Sequence, residues 1–248
     1  MKQTARNMKR FFVLAVILSS LFFFVRLASS EPEGATVAYV SNTTKNASTP
    51  DSRTDAKGTI TTINLNTLQQ DIKWKAYVGN VSGTLVLRDS EDYSIYEWAA
   101  GGSPSGEVYL ARNSSIDWTN IRCANQSVIS IEETTLGFVS TAQDNINNTF
   151  AYNNHTSFDV GTVTIAESSC KNTATWMNDT AQTVNLNALF QEVLLMDTSD
   201  HVVYASIINQ DTASYKNDSL TKYDFQAIVP DFVSATIATY YFYVEITG

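Results

Sequence analysis

Apolar and polar side chains alternate along this chain with a period of two, in short runs separated by Gly, Asn, Asp, Ser and Pro. The clearest run sets Ile72, Trp74, Ala76 and Val78 against Lys73, Lys75 and Tyr77, the pattern of a half-buried strand. Gly79 to Gly83 reads as a turn and Thr84 to Arg88 as the returning strand, which predicts a hairpin. Ile60 to Leu65 reads as an earlier strand. Ser94 to Ala99 and Gly106 to Arg112 form the next expected pair, joined by the turn-rich Gly101 to Ser105. Further strands are predicted over Ser157 to Ile165, Phe190 to Met196, Val202 to Ile208, Tyr223 to Val229 and Thr236 to Ile246. The last carries Tyr240-Tyr241-Phe242-Tyr243-Val244, apolar on both faces, which suits the middle of a sheet. Ser127 to Gly137 is the one stretch that reads as a short helix. Amphipathic helices between the strands are lacking, which argues against a parallel sheet. The expected fold is all-β, an antiparallel sandwich or jelly-roll-like domain of about ten strands with at most one or two short helices.

The first thirty residues have another character. Lys2, Arg6, Lys9 and Arg10 precede an apolar stretch from Phe11 to Val25, and Ala28-Ser29-Ser30 supplies small residues before Glu31. This is the layout of a secretory signal peptide, residues 1–30, with cleavage expected before Glu31. The apolar stretch is shorter than the roughly twenty residues that span a bilayer. Retention as an anchor is the competing reading and would be the chain's one link to membrane. Residues 31–57 are rich in Ser, Thr, Asn and Asp and read as a flexible glycosylated linker. Within them Ala35, Val37 and Tyr39 sit on one face of a short β-prone patch, a strand-donor candidate. Residues 58–248 are read as a single β-sandwich domain.

Loss of the leader takes five of the 16 basic residues and none of the 25 acids, leaving 11 against 25, a net −14. Such a surface repels nucleic acid, since no basic cluster remains to neutralise phosphates. Nine Asn-x-Ser/Thr sequons follow the leader, at Asn42, Asn46, Asn80, Asn113, Asn125, Asn147, Asn154, Asn178 and Asn217, and none has Pro in the middle. That is about twice what chance placement would give, and N-linked sugar marks outward surface on an exported protein. Cys123 and Cys170 are the two cysteines. In an oxidising compartment they read as one disulfide.

Chemistry is sparse. His155 lies within a sequon, and His201 opens a strand after the turn Asp197 to Asp200. No Gly-x-Ser-x-Gly elbow, HExxH or Walker loop accompanies them. Paired carboxylates, as a glycosidase uses, cannot be read from scattered acids, and Trp74 and Trp98 fall at core-compatible strand positions. Asp89, Glu91 and Asp92 in one inter-strand turn, with Asp197 and Asp200 in another, are the calcium candidates. Neither turn has EF-hand spacing, and solvated turn acids are the plainer reading. No other cofactor and no catalytic residue are expected.

Lys73 to Leu85 with its Gly-Asn-Val-Ser-Gly centre, Gly106-Glu107-Val108-Tyr109, Ile116-Asp117-Trp118 through Cys123, Asp224-Phe225-Gln226 before Val229-Pro230, and Tyr240 to Glu245 together resemble a family of secreted archaeal proteins of unassigned function. The resemblance spans most of residues 58–248. It implies an archaeal envelope or extracellular setting, and it carries over no catalytic residue.

The expectation is therefore a glycosylated, non-enzymatic structural or adhesive protein of the archaeal cell surface, an envelope, pilus or matrix component, polymerising by strand addition. Its partners would be itself or other surface proteins. The alternative is a carbohydrate- or protein-binding surface module, and a secreted hydrolase comes third.

Overall fold

The computed structural model describes residues 31–98, 105–210 and 213–247. The leader, the end of the expected strand at Ala99 and the Gly101 to Pro104 part of the expected turn lie outside the described residues. The strands are β1 (Glu33–Gly34), β2 (Trp74–Gly79), β3 (Leu85–Arg88), β4 (Ser94–Trp98), β5 (Ser105–Ala111), β6 (Arg122–Cys123), β7 (Phe158–Val160), β8 (Val163–Ile165), β9 (Asn172–Ala174), β10 (Gln191–Met196), β11 (Val202–Ile207), β12 (Phe225–Pro230) and β13 (Tyr241–Thr247). Two helices, α1 (Gln126–Leu136) and α2 (Ile146–Thr149), join them. The fold is all-β and antiparallel throughout, as the alternation predicts.

Seven strands form the main sheet in the order β1-β13-β5-β11-β10-β6, with β9 beside β6 along the same edge of β10. Because successive strand residues face opposite sides, this sheet carries two cores. One face presents Val108, Leu110, Leu194, Met196, Val202 and Tyr204, covered by α1 and by the β2–β12 ribbon. The other presents Tyr109, Ala111, Val193, Leu195, Val203 and Ala205, covered by Trp118, Ile121 and the β7–β8 hairpin. Strands β5, β10 and β11 are therefore buried on both sides. The aromatic β13 also feeds both cores, Phe242 and Val244 into one and Tyr243 into the other.

Helix α1 forms where the sequence allows one. Asn125 caps it by accepting from the Val128 amide at 2.9 Å, and Gly137 ends it in the left-handed conformation at φ 85°. Val128, Ile129, Glu132, Glu133 and Leu136 make its buried face. Glu132 there receives two hydrogen bonds from Arg112 at the end of β5.

Several local expectations give way to tertiary pairing. The predicted hairpin of β2 with β3 does not form: β2 pairs with β12 and β3 with β4. The Asp224 carboxylate accepts from the Val81 amide, and the Asp224 amide donates to the Gly79 carbonyl, so the segment after β2 is drawn toward β12 instead of turning back. Gly83 is a close-approach glycine whose missing side chain would collide with Ile246. The expected pairing of Ser94–Ala99 with Gly106–Arg112 is replaced likewise, since β5 lies between β13 and β11. Ser157 to Ile165 holds two strands turning at Gly161, where φ is +57°. Trp74 packs on Phe138 and Phe150 as expected of a core residue, but Trp98 is half exposed. Ile60 to Leu65 is exposed and makes no strand.

Candidate functional site

Pro32 is buried, and Glu33 and Gly34 pair with Val244 and Tyr243 at the edge of the main sheet. The Ala35 amide donates to the Phe242 carbonyl at 2.9 Å, and there the docking ends. Residues 36–72 then leave the body with almost every side chain exposed and no strand or helix before returning at β2. Residues 31–57, expected as a linker, thus begin with a docked strand, and the exposed stretch without strand or helix continues to residue 72. Loops of this length without secondary structure are uncommon in compact domains and are usually functional or linking. This one carries Val37, Tyr39, Val40, Ile60, Ile63, Leu65, Leu68 and Ile72 in solvent, with Val40 90% and Ile60 98% exposed. The strand-donor candidates Val37 and Tyr39 are among them. The two limbs touch through Thr44 with Gln70 and through Lys45 donating to the Leu68 carbonyl at 3.2 Å. No backbone ladder joins them among the described residues.

A second uncovered surface lies on the β3–β4 hairpin. Leu85 faces Trp98 and Leu87 faces Tyr96 across the pair, so four large apolar side chains share one face. The Tyr96 and Trp98 rings meet edge to face at 5.0 Å. All five residues of β4 are exposed, and no third strand flanks the pair among the described residues. A two-stranded ribbon is marginal by itself in water and gains stability from a third strand or a covering layer.

The sequon asparagines divide by environment. Asn42, Asn46, Asn80, Asn125, Asn154, Asn178 and Asn217 are exposed, whereas Asn113 and Asn147 are half-buried. Asn125 is exposed and uses its side-chain oxygen as the α1 cap. Asn113 uses both ends: its oxygen accepts from the Ser115 amide and its nitrogen meets His201.

Neither histidine is placed for nucleophilic catalysis. His155 is fully buried, with Nδ1 bonded to the Thr156 carbonyl at 2.8 Å and Nε2 accepting from the Cys170 amide at 3.0 Å. Burial lowers its pKa, so it is a neutral ring joining two backbone segments. His201 pairs with Asp197 at 2.9 Å, but its other nitrogen meets Asn113 and no serine. The calcium candidates are engaged in turns. Asp89 accepts from the Glu91 and Tyr93 amides, and Asp197 accepts from Ser199, His201 and Asp117. Asp92 and Asp200 hold positive φ, at 67° and 62°. Among the described residues no group of three or more His, Cys, Asp or Glu side chains is arranged for a metal. Cys123 and Cys170 are joined as a disulfide with Cα atoms 4.9 Å apart, tying β6 to the approach to β9.

The paired carboxylates that scattered acids concealed are Glu107 and Glu245. They lie directly opposite each other on β5 and β13, on the face shared with Tyr109. The Tyr109 hydroxyl donates to Glu245 at 3.1 Å, and the Gly161 amide donates to both Glu245 oxygens at 3.0 Å. Glu107 is 5% exposed and its Oε2 has no partner. Burial, then the facing Glu245 and nearby Asp159, push its carboxyl up to about 8. A raised acid beside a second carboxylate is a hydrolase pattern. Both groups are buried, however, with the β7–β8 turn at Gly161 against Glu245, and two shallow cavities among the described residues, around Gln182 and Asn187, do not touch them. One clue was available in sequence: glutamates stand within the strand patterns Gly106-Glu107-Val108 and Val244-Glu245-Ile246. Glu192 on β10 is a second buried acid, accepting from the Ile228 amide at 2.9 Å with its other oxygen unpartnered.

No helix among the described residues is long and apolar enough to cross a membrane. Compared with known proteins, the chain matches no family model, no curated protein and no solved structure.

Proposed function

We propose that this chain is a glycosylated extracellular structural protein of the archaeal cell surface, which assembles with further copies of itself by strand addition. The observation that carries the reading is the pair of unsatisfied surfaces: the apolar excursion of residues 36–72 and the open β3–β4 ribbon. Each lacks what the other offers. The ribbon needs a third strand, and the excursion supplies β-prone stretches at Thr36–Val40 and Ile60–Leu65 with free main-chain groups. A second copy is the occupant that needs no further partner, and a head-to-tail contact of this kind propagates as a filament. The disulfide and the acidic mature surface suit an oxidising exterior.

The test is a variant in which residues 37–71 are replaced by a short Gly-Ser link, leaving β1 in place. Light scattering and electron microscopy should find assemblies for the parent chain and monomers for the variant, with an unchanged melting temperature. Assemblies that persist in the variant would overturn the reading. A parent chain that stays monomeric while binding a glycan array through Tyr96 and Trp98 would favour the carbohydrate-binding alternative.

A further inference from the structure

We infer that the groove beside the turn at Asn178 is the seat of that residue's own N-linked sugar: the first sugar ring packs on Met177 and Thr180 and bonds the polar side chains of the loop at 183–188. The inference rests on the glycosylated reading and is independent of self-assembly.

The turn places the attachment point. The Met177 amide donates to the Thr180 carbonyl at 2.9 Å and the Thr180 amide to the Met177 carbonyl at 3.0 Å. The central residues Asn178 and Asp179 have φ 50° and 60°. Two residues of positive φ inside a reciprocally bonded pair form a type I′ turn, a conformation that Asn and Asp accept more readily than most side chains. Neighbouring chain pins the turn as well: the Asn178 amide donates to the Ser214 carbonyl at 2.8 Å and the Asp179 amide to the Tyr215 carbonyl at 2.7 Å. Directly opposed residues of a ribbon share a face. Met177 and Thr180 are such a pair, and both line a groove of about 280 Å³. Asn178 between them is exposed, and its side chain makes no hydrogen bond among the described residues. Asn154, another sequon beside this loop, gives its side-chain nitrogen to the Val184 carbonyl at 3.5 Å.

The other wall of the groove is held in place by Gln182. Its side-chain nitrogen donates to the Thr175 and Leu189 carbonyls at 2.7 and 2.6 Å, and its oxygen accepts from the Leu189 amide at 2.9 Å. The loop between is closed by Asn185, which accepts from the Asn187 amide at 2.8 Å. Thr183 and Asn187 line the groove, are exposed, and make no side-chain hydrogen bond among the described residues. A sugar ring complements this lining, with C–H groups for the Met177 thioether and the Thr180 methyl and hydroxyls for Thr183 and Asn187. Tethering favours the chain's own sugar over a free saccharide. A groove this shallow grips a free sugar weakly, whereas one attached next to Met177 is present at an effective concentration of ~mM. In the attachment, Asn178 Nδ2 bonds to the sugar's C1 and gives up one proton. The bond from C1 to the phosphate of a lipid-linked donor breaks, and its electron pair leaves with the phosphate oxygen.

The test uses the chain secreted from a eukaryotic host and trimmed by an endoglycosidase to a single N-acetylglucosamine at each occupied sequon. The same chain from a bacterial periplasm carries no sugar. Melting of the parent and of Asn178→Asp is compared in both forms, so the extra loss in the glycosylated form belongs to the Asn178 sugar. That loss should be about 2–4 °C. Met177→Ser with Asn187→Ala should abolish it while glycopeptides still show Asn178 occupied, and the unglycosylated form reads the stability of each variant by itself. Amide exchange at residues 183–188 should be slower in the glycosylated parent than in glycosylated Asn178→Asp. No extra loss, or one that survives the double substitution, would overturn the proposal. A bare Asn178 would overturn it too. Sugar found then at Asn80, Asn125 or Asn217 would leave the glycosylated reading standing, whereas no sugar at any sequon would remove both.

Discussion

Asn113 Nδ2 lies 2.7 Å from His201 Nε2, and His201 Nδ1 lies 2.9 Å from Asp197. With the ring hydrogen on Nδ1 directed at the carboxylate, Nε2 accepts from the Asn113 amide. The nitrogen that would carry sugar is therefore already bonded in the fold. Glycopeptide mass spectrometry of protein from a glycosylating host should find Asn113 unoccupied and most of Asn80, Asn125, Asn178 and Asn217 occupied. Full occupancy at Asn113 would contradict this arrangement.

Asn125 combines a sequon with a helix cap. Asn125→Ala should cost about 1 kcal/mol through loss of the bond to Val128. Asn125→Asp keeps the acceptor and removes the sequon, so its urea midpoint should stay close to that of the unglycosylated parent. Equal losses in both variants would show that the cap contributes nothing.

The disulfide closes a loop of 47 residues and joins β6 to the lead into β9, two short strands on one edge of β10. Replacing Cys123 and Cys170 by Ala should cost about 4 kcal/mol in the chain-entropy model. For a chain of this size that is a fall in melting temperature on the order of 10 °C. Fraying should appear first at β6 and β9, read by amide hydrogen exchange.

Glu192 is fully buried, and burial holds its carboxyl well above the usual range, offset in part by the Ile228 amide. Its folded value exceeds its unfolded value of about 4.3, so the stability it contributes is full below that pH and is lost as pH rises. Glu192→Gln should flatten this decline, the gap over the parent widening toward alkaline pH in urea titrations. Parallel pH profiles would refute the assignment.

The ribbon face gives the sharpest substitutions for the assembly reading. Leu87→Ser with Trp98→Ser removes two exposed apolar side chains outside both cores. Melting of the monomer should change little, since surface substitutions usually fall within about 0.5 kcal/mol. Polymers, where the parent forms them, should be lost. A large fall in monomer stability would mean that the ribbon is held by its own chain.

Period-two alternation and turn residues were enough to locate the longer strands of the body, and the Ser127 to Gly137 stretch the one long helix, because these depend on a few neighbouring residues; the two- and three-residue strands β1, β6 and β9 have no such pattern and were missed. The Cys123–Cys170 pairing was equally legible, there being two cysteines to join. Pairing partners were not. Whether β2 met β3 or β12 depended on Asp224, more than a hundred residues away, bonding around Gly79 and Val81. Ile60 to Leu65 has a strand's pattern but no partner, and a strand without a partner leaves its main-chain groups to water. Glu107 and Glu245, far apart in the chain, became one buried pair only through the register of β5 with β13. Local sequence determined the elements and the address signals. Tertiary structure alone decided which surfaces were left open and which acids were buried face to face, since both follow from long-range strand register, which no local pattern encodes.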